Sequence, residues 1–174
     1  WITYLRVGMS EREAAARLVG ELLSGGADGL AFAPIVAGGP NGALPHAVPG
    51  DRLFQVGDWV VVDWGARVDG YVSDLTRAVV IGPAEGQMQR IHQMVVEANA
   101  AGRDAVLPGA EAESVDLAAR HVIEGYGYGA QFFHRTGHGL GLEEHEPPYI
   151  VRGNRRKLVP GMTFTVEPGV YIEG

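Results

Sequence analysis

Three valines, Val60-Val61-Val62, run straight into Asp63. A carboxylate at the end of a buried strand costs several kcal/mol unless it is paired or binds a cation. Asp74 follows eleven residues later, at the far side of the next strand, and a strand–loop–strand of that length can return both carboxylates to one place. The plainer alternative has Asp74 pairing with Arg77 and Asp63 capping a turn. Four of the six histidines, His46, His134, His138 and His145, lie near apolar segments. His138 is set in Thr136-Gly137-His138-Gly139-Leu140-Gly141, where glycines allow backbone to approach closely and leave room beside the imidazole. A glycine-rich turn with an incidental histidine is the alternative. Glu167 ends the run Thr163-Phe164-Thr165-Val166-Glu167, with Pro168 as the stop. Alternation assigns Phe164 and Val166 to one face and Thr165 and Glu167 to the other. Two Asp, one His and one Glu form a hard, oxygen-rich set suited to Mn, Co or Zn. Bridging carboxylates would hold two such ions about 3.5–4 Å apart, an arrangement suited to hydrolysis.

These residues need elements to hold them. Ser10 is a natural N-cap with Glu13 three residues on, and Ala14, Leu18, Leu22 and Leu23 recur at helical spacing up to Gly25-Gly26. Residues 31–36 read as a short strand, and the loop from Gly38 to Gly42 follows. Trp59–Asp63, Val68–Ser73 and Leu75–Ile81 read as strands, with Asp69-Gly70 as a turn signal inside a longer loop that includes Gly65. An amphipathic helix is expected over about 84–106, with Met88, Ile91, Met94, Val95 and Ala98 on its apolar face. A second is expected over about 112–125, with Val115, Leu117, Ala118, Val122 and Ile123 apolar. The remainder reads as short strands broken by Gly and Pro.

Composition removes several classes of function. The 174 residues are one domain's worth of chain, with 46% hydrophobic and 20% charged residues, which is ordinary globular composition. Gly at 26 and Pro at 10 argue against a helix bundle. With no cysteine there is no disulfide scaffold, zinc finger or thiol nucleophile. A formal charge of −7 speaks against nucleic acid as a partner. No apolar run is long enough to span a membrane. There is no Gly-x-Ser-x-Gly elbow and no phosphate-cradling Gly-Lys loop. Trp1 at the start and the strand-like Val170-Tyr171-Ile172-Glu173-Gly174 at the end lead us to expect a fragment of a longer chain.

Four blocks carry a resemblance. Val62-Asp63-Trp64-Gly65-Ala66 with Gly70-Tyr71-Val72-Ser73-Asp74-Leu75-Thr76-Arg77 is similar to the first signature of the proline-specific metallopeptidases of the pita-bread fold. The stretch from His134 to Pro148 is similar to their second signature, Val166–Ile172 to the third, and Pro45-His46-Ala47 to the upstream histidine block. The blocks span nearly the whole chain in the family's order. The resemblance implies an α/β (α+β) fold, a curved antiparallel sheet with helices on its outer face. It implies that residues 1–174 are the catalytic domain, truncated at the C-terminus and without the family's N-terminal domain. It implies hydrolysis of the bond between an N-terminal residue and proline, as in Xaa-Pro aminopeptidases and dipeptidases. A methionine-type aminopeptidase and a non-catalytic peptide-binding member are the alternatives. Two divalent ions, Mn first and Co or Zn next, would be held by Asp63, Asp74, His138 and Glu167, with Asp74 bridging. Glu167 would also take a proton, and His46 and His145 would flank the substrate. A fifth ligand, a Glu on a later strand, is expected beyond Gly174, since Glu173 stands too close to Glu167. The expected partner is a peptide or dipeptide with proline second. A cytoplasmic location is expected, and a homodimer is among the assemblies implied for the whole protein.

Overall fold

A computed structural model describes residues 1–84 and 86–172. They fall into two compact units, Trp1–Gln89 with Tyr171–Gly174, and Arg90–Val170.

The first unit opens on α1 (Glu11–Ser24). The Ser10 hydroxyl accepts the Glu13 N–H at 3.1 Å and the Glu13 carboxylate accepts the Ser10 N–H at 2.8 Å, so the capping box forms in full. Gly26 follows the helix at φ +99°, a conformation that disfavours a Cβ. Ala14 and Leu18 are buried and Leu22 packs beside them. Leu23 is exposed, because adjacent helical residues point about 100° apart and only one can face the core. The strands are β1 (Gly29–Leu30), β2 (Ile35–Gly38), β3 (Trp59–Trp64), β4 (Ala66–Val68), β5 (Tyr71–Val72) and β6 (Leu75–Val80). They pair antiparallel in two sheets of order β1-β4-β5 and β2-β3-β6. The strand expected over 31–36 is displaced into β1 and β2, with Pro34, which has no N–H for a ladder, lying in the gap. Asp69 and Gly70 form a two-residue turn at φ 50° and 84°, in place of the longer loop expected there. Positive φ at both central residues matches the twist of the flanking strands. Gly65 instead stands between β3 and β4, where a Cβ would meet the Ser73 carbonyl oxygen at 2.0 Å. Val60 and Val62 join Val36, Phe54, Ala14 and Leu18 in the core, so alternation turns Val61 and Asp63 to the opposite face.

The second unit contains α2 (Gly86–Asp104), α3 (Ala112–Gly125), β7 (Gly137–Gly139) and β8 (Glu146–Ile150). Ile91, Met94 and Ala98 are buried on α2, but Met88 is exposed in its first turn. On α3, Val115, Ala119 and Ile123 are buried. Leu117 is exposed and Asp116 is fully buried, the reverse of what their polarity suggests. The β7 and β8 strands pair antiparallel, with a register shift after His138. On the other side of β7, residues 163–167 run extended. Leu140 N–H donates to the Thr163 carbonyl, Thr165 N–H to His138 and Glu167 N–H to Thr136. The His138 N–H returns to the Thr165 hydroxyl rather than to a carbonyl. The segment therefore carries one isolated bridge, Gly139 with Phe164, instead of the full strand expected. Phe164 and Val166 pack with Ala112, Val115, Ile150 and Leu158. Val170–Ile172 hold no strand, and the expectation about Glu173 lies outside the described residues.

Candidate metal centre

In the first unit, the ladder of β3 with β6 sets Asp63 opposite Thr76. Asp74 lies two residues before Thr76, just ahead of β6, so pleat alternation gives Asp63 and Asp74 the same face. Diagonal neighbours of this kind are about 7–8 Å apart at Cα, within reach of side chains that converge. That face is opposite the one packed on α1. His46 is exposed in the segment after the 3₁₀ turn Gly39–Ala43. That segment is tied down by Glu11, which is buried at the first turn of α1. Its carboxylate accepts the N–H groups of Gly38 at 2.9 Å and Gly50 at 3.1 Å, and the Asn41 side-chain amide at 2.9 Å. The sequence reading stopped at the cap residues and missed this role.

In the second unit, β7 and its neighbours bring together His138, His145 and Glu167. Gly137 and Gly139 are required by close approach. A Cβ on Gly137 would lie 2.0 Å from the Thr165 carbonyl oxygen, and one on Gly139 would lie 2.5 Å from that of Pro147. The two glycines thus let a strand close on each side of His138, whose side chain is almost wholly buried. His138 Nδ1 is 3.0 Å from the Gly139 carbonyl oxygen. A carbonyl only accepts, which assigns the proton to Nδ1 and leaves the Nε2 lone pair to the site. Nε2 lies 3.1 Å from Glu167 Oε1. A lone pair facing a carboxylate oxygen needs a cation, either a proton or a metal ion. This is also how metal-binding histidines are oriented, with the second ring N–H held by a carbonyl. The donor set fits a divalent ion.

Glu167 is held as a carboxylate. Burial pushes its pKa up, but hydrogen bonds from His138, with a proton on Nε2, and from Thr165 outweigh that and hold it below the ordinary carboxylate range. The Thr165 hydroxyl donates to Glu167 Oε1 at 2.6 Å while accepting the His138 N–H at 3.0 Å. The expected alternation is thereby realised, with Thr165 and Glu167 on the site face. On the next residue back, the Val166 carbonyl accepts the Asn99 side-chain amide at 2.7 Å. His145 stacks edge-on to His138 with centroids 4.2 Å apart, and its side chain remains about half exposed. It is therefore within reach of both the site and solvent. His134 is mostly enclosed, edge-on to Phe132 and Phe133, with Nδ1 2.7 Å from the Arg135 carbonyl oxygen. Burial lowers its pKa below the usual histidine range, against the opposing pull of that carbonyl and of Glu167, so the ring is neutral at pH 7.

The model for metallopeptidase family M24 matches residues 1–174. The chain belongs to that family. It is 42% identical over 165 residues to the Xaa-Pro dipeptidase of Pyrococcus furiosus, covering 95% of this chain and 47% of that protein. Among solved structures, the prolidase from Pyrococcus furiosus superposes with a TM-score of 0.96 at 41% identity, over 99% of this chain and 51% of its own. The X-Pro aminopeptidase from Thermotoga maritima gives 0.96 at 40% identity, over 99% of this chain and 49% of its own. The fold class is thus that of the prolidases, the pita-bread class expected above. The chain spans about half the length of the curated relatives it matches. Among the described residues no helix is long and apolar enough to cross a membrane.

Proposed function

We propose that the whole protein carrying this chain is a divalent-metal peptidase that cleaves the bond between an N-terminal residue and proline. In this reading residues 1–174 are the catalytic domain, with Asp63, Asp74, His138 and Glu167 as metal ligands. The observation that carries the reading is the His138–Glu167 pair, a buried imidazole with Nδ1 3.0 Å from a carbonyl oxygen and Nε2 3.1 Å from a carboxylate oxygen. The likeness to Xaa-Pro dipeptidases supports the proline specificity.

Bound ions would supply a water acidified toward neutrality and a polarised scissile carbonyl. The chain's own residues do the rest. Glu167, kept ionised by Thr165, accepts the proton released as the carbonyl is attacked. His145, exposed and stacked on His138, donates a proton to the departing proline nitrogen. His46 hydrogen-bonds the peptide or the developing oxyanion. An Xaa-Pro amide has no N–H. A pocket for it must accept a ring where an ordinary peptide would present a donor. Manganese, cobalt and zinc all suit these ligands, and manganese is our first assignment. A homodimer and a cytoplasmic location complete the reading.

The test is metal titration of the whole protein and of a His145→Ala variant. We expect about two ions in both, with turnover of the variant lower by roughly 10² or more. Metal content that fell in step with activity would make His145 a ligand. Background metal in the parent protein would refute the proposal.

A further inference from the structure

Away from the candidate metal ligands, an aspartate and an arginine one turn apart on α3 make a dense set of hydrogen bonds in the second unit. Asp116 is 0% exposed. Its Oδ2 accepts Arg120 Nε at 2.7 Å and the Arg152 N–H at 3.1 Å. Its Oδ1 accepts the Thr136 hydroxyl at 2.7 Å, the Thr136 N–H at 3.2 Å and Arg120 Nη2 at 3.2 Å. Arg120 in turn donates through Nη1 to the Phe132 carbonyl at 2.7 Å and through Nη2 to the His134 carbonyl. Its guanidinium lies 4.1 Å over the Phe132 ring. The pair therefore grips the backbone at residues 132, 134, 136 and 152. Burying two opposite charges gains little stability by itself. What it fixes here is a segment with irregular backbone that leads directly into His138. The next link is Thr136, whose carbonyl accepts the Glu167 N–H at 2.7 Å.

We infer that Asp116 and Arg120 are positioning residues for the metal centre, clamping residues 132–136 to α3 so that His138 and Glu167 are held at their mutual distance. The inference rests on the metal reading above. Arginine is needed for this geometry. Its planar fork serves a carboxylate and two carbonyls at once while its face lies on a ring. Lysine could keep the charge beside Asp116 but could not reach the same acceptors.

The test uses the whole protein and its Arg120→Lys variant, each metal-free and titrated with Mn²⁺. Amide hydrogen exchange supplies a second reading that needs no metal. The expected result is an Mn²⁺ Kd weakened about 10–100-fold. In the metal-free variant, the amides of Thr136, His138 and Glu167 should exchange at least about tenfold faster, relative to those of α1, than in the parent. An unchanged Kd together with exchange raised equally everywhere would overturn the inference and leave the pair a stabilising contact only. If the parent protein binds no Mn²⁺, the metal reading fails and the exchange result alone decides whether the clamp exists. Should Arg120→Lys not fold, Thr136→Val removes the hydroxyl bond to Asp116 at nearly constant shape. It must then move the same two readouts in the same direction, and failure to move them refutes the inference.

Discussion

Replacing Thr165 with valine would isolate a single oxygen atom. The hydroxyl donates to Glu167 Oε1 at 2.6 Å and accepts the His138 N–H at 3.0 Å, so it touches both residues of the candidate centre. Valine has nearly the same shape, which leaves Gly137 its close approach and opens no cavity. The bond to the carboxylate is charge-assisted, worth about 1.5–3 kcal/mol, and losing the acceptor of a partly buried backbone N–H adds about 1 kcal/mol. We expect Thr165→Val to lower the unfolding free energy of the metal-free protein by about 2–4 kcal/mol. Glu167 would also lose one of two groups that orient it, and metal affinity should fall about 10–100-fold. Thr165→Ser restores the oxygen and should recover most of both losses. Urea unfolding with chelator present gives the first quantity and calorimetric titration with Mn²⁺ the second. If the valine variant unfolds at the parent's midpoint and binds metal as tightly, the hydroxyl does not organise the pair and the reasoning is wrong.

Two glycines should respond in opposite ways to alanine. At Gly137 the new methyl would meet the Thr165 carbonyl oxygen at 2.0 Å, and we expect a loss of about 3 kcal/mol or more, read by thermal melting. At Gly20, inside α1 with nothing within 4 Å of an added Cβ, alanine should stabilise by up to about 1 kcal/mol. A further prediction concerns acid. Burial raises the pKa of Asp58, but hydrogen bonds from Arg52 and the Gln55 N–H, with the Arg52 charge, outweigh it and hold the pKa below the usual aspartate value. The folded pKa being the lower one, this stabilisation is complete above the unfolded value of about 3.9 and is lost as pH falls through the folded one. Asp58→Asn should flatten that part of the stability–pH curve, and a variant curve parallel to the parent's would count against the pair.

What was legible in the sequence followed from local rules. Ser10 and Glu13 announce a cap because their bonds are three residues apart, and the glycines around His138 announce close packing because only glycine tolerates it. Asp63 and Asp74 read as a possible pair from the length of a strand–loop–strand, and the pairing of β3 with β6 gives them the same face. The misses share another cause: their partners are distant in sequence. Asp116 sits beside Val115 in an amphipathic stretch and reads as a solvent-facing residue with an i,i+4 partner in Arg120. Nothing local announces that Thr136 and Arg152 supply the rest of its bonds. Glu11 reads as an acid favouring the start of a helix, while its partners lie 27 to 39 residues away. Residues 163–167 were expected as a regular strand because alternation predicts side-chain faces correctly. It could not predict that the Thr165 hydroxyl would replace a carbonyl in the ladder.

The central claim is tested most directly by the whole protein, loaded with Mn²⁺, on two dipeptides that differ only in the second residue, Ala-Pro and Ala-Ala. The account predicts that Ala-Pro is hydrolysed faster and that chelation abolishes the activity. Equal rates, or faster cleavage of Ala-Ala, in a sample shown to hold metal would contradict it.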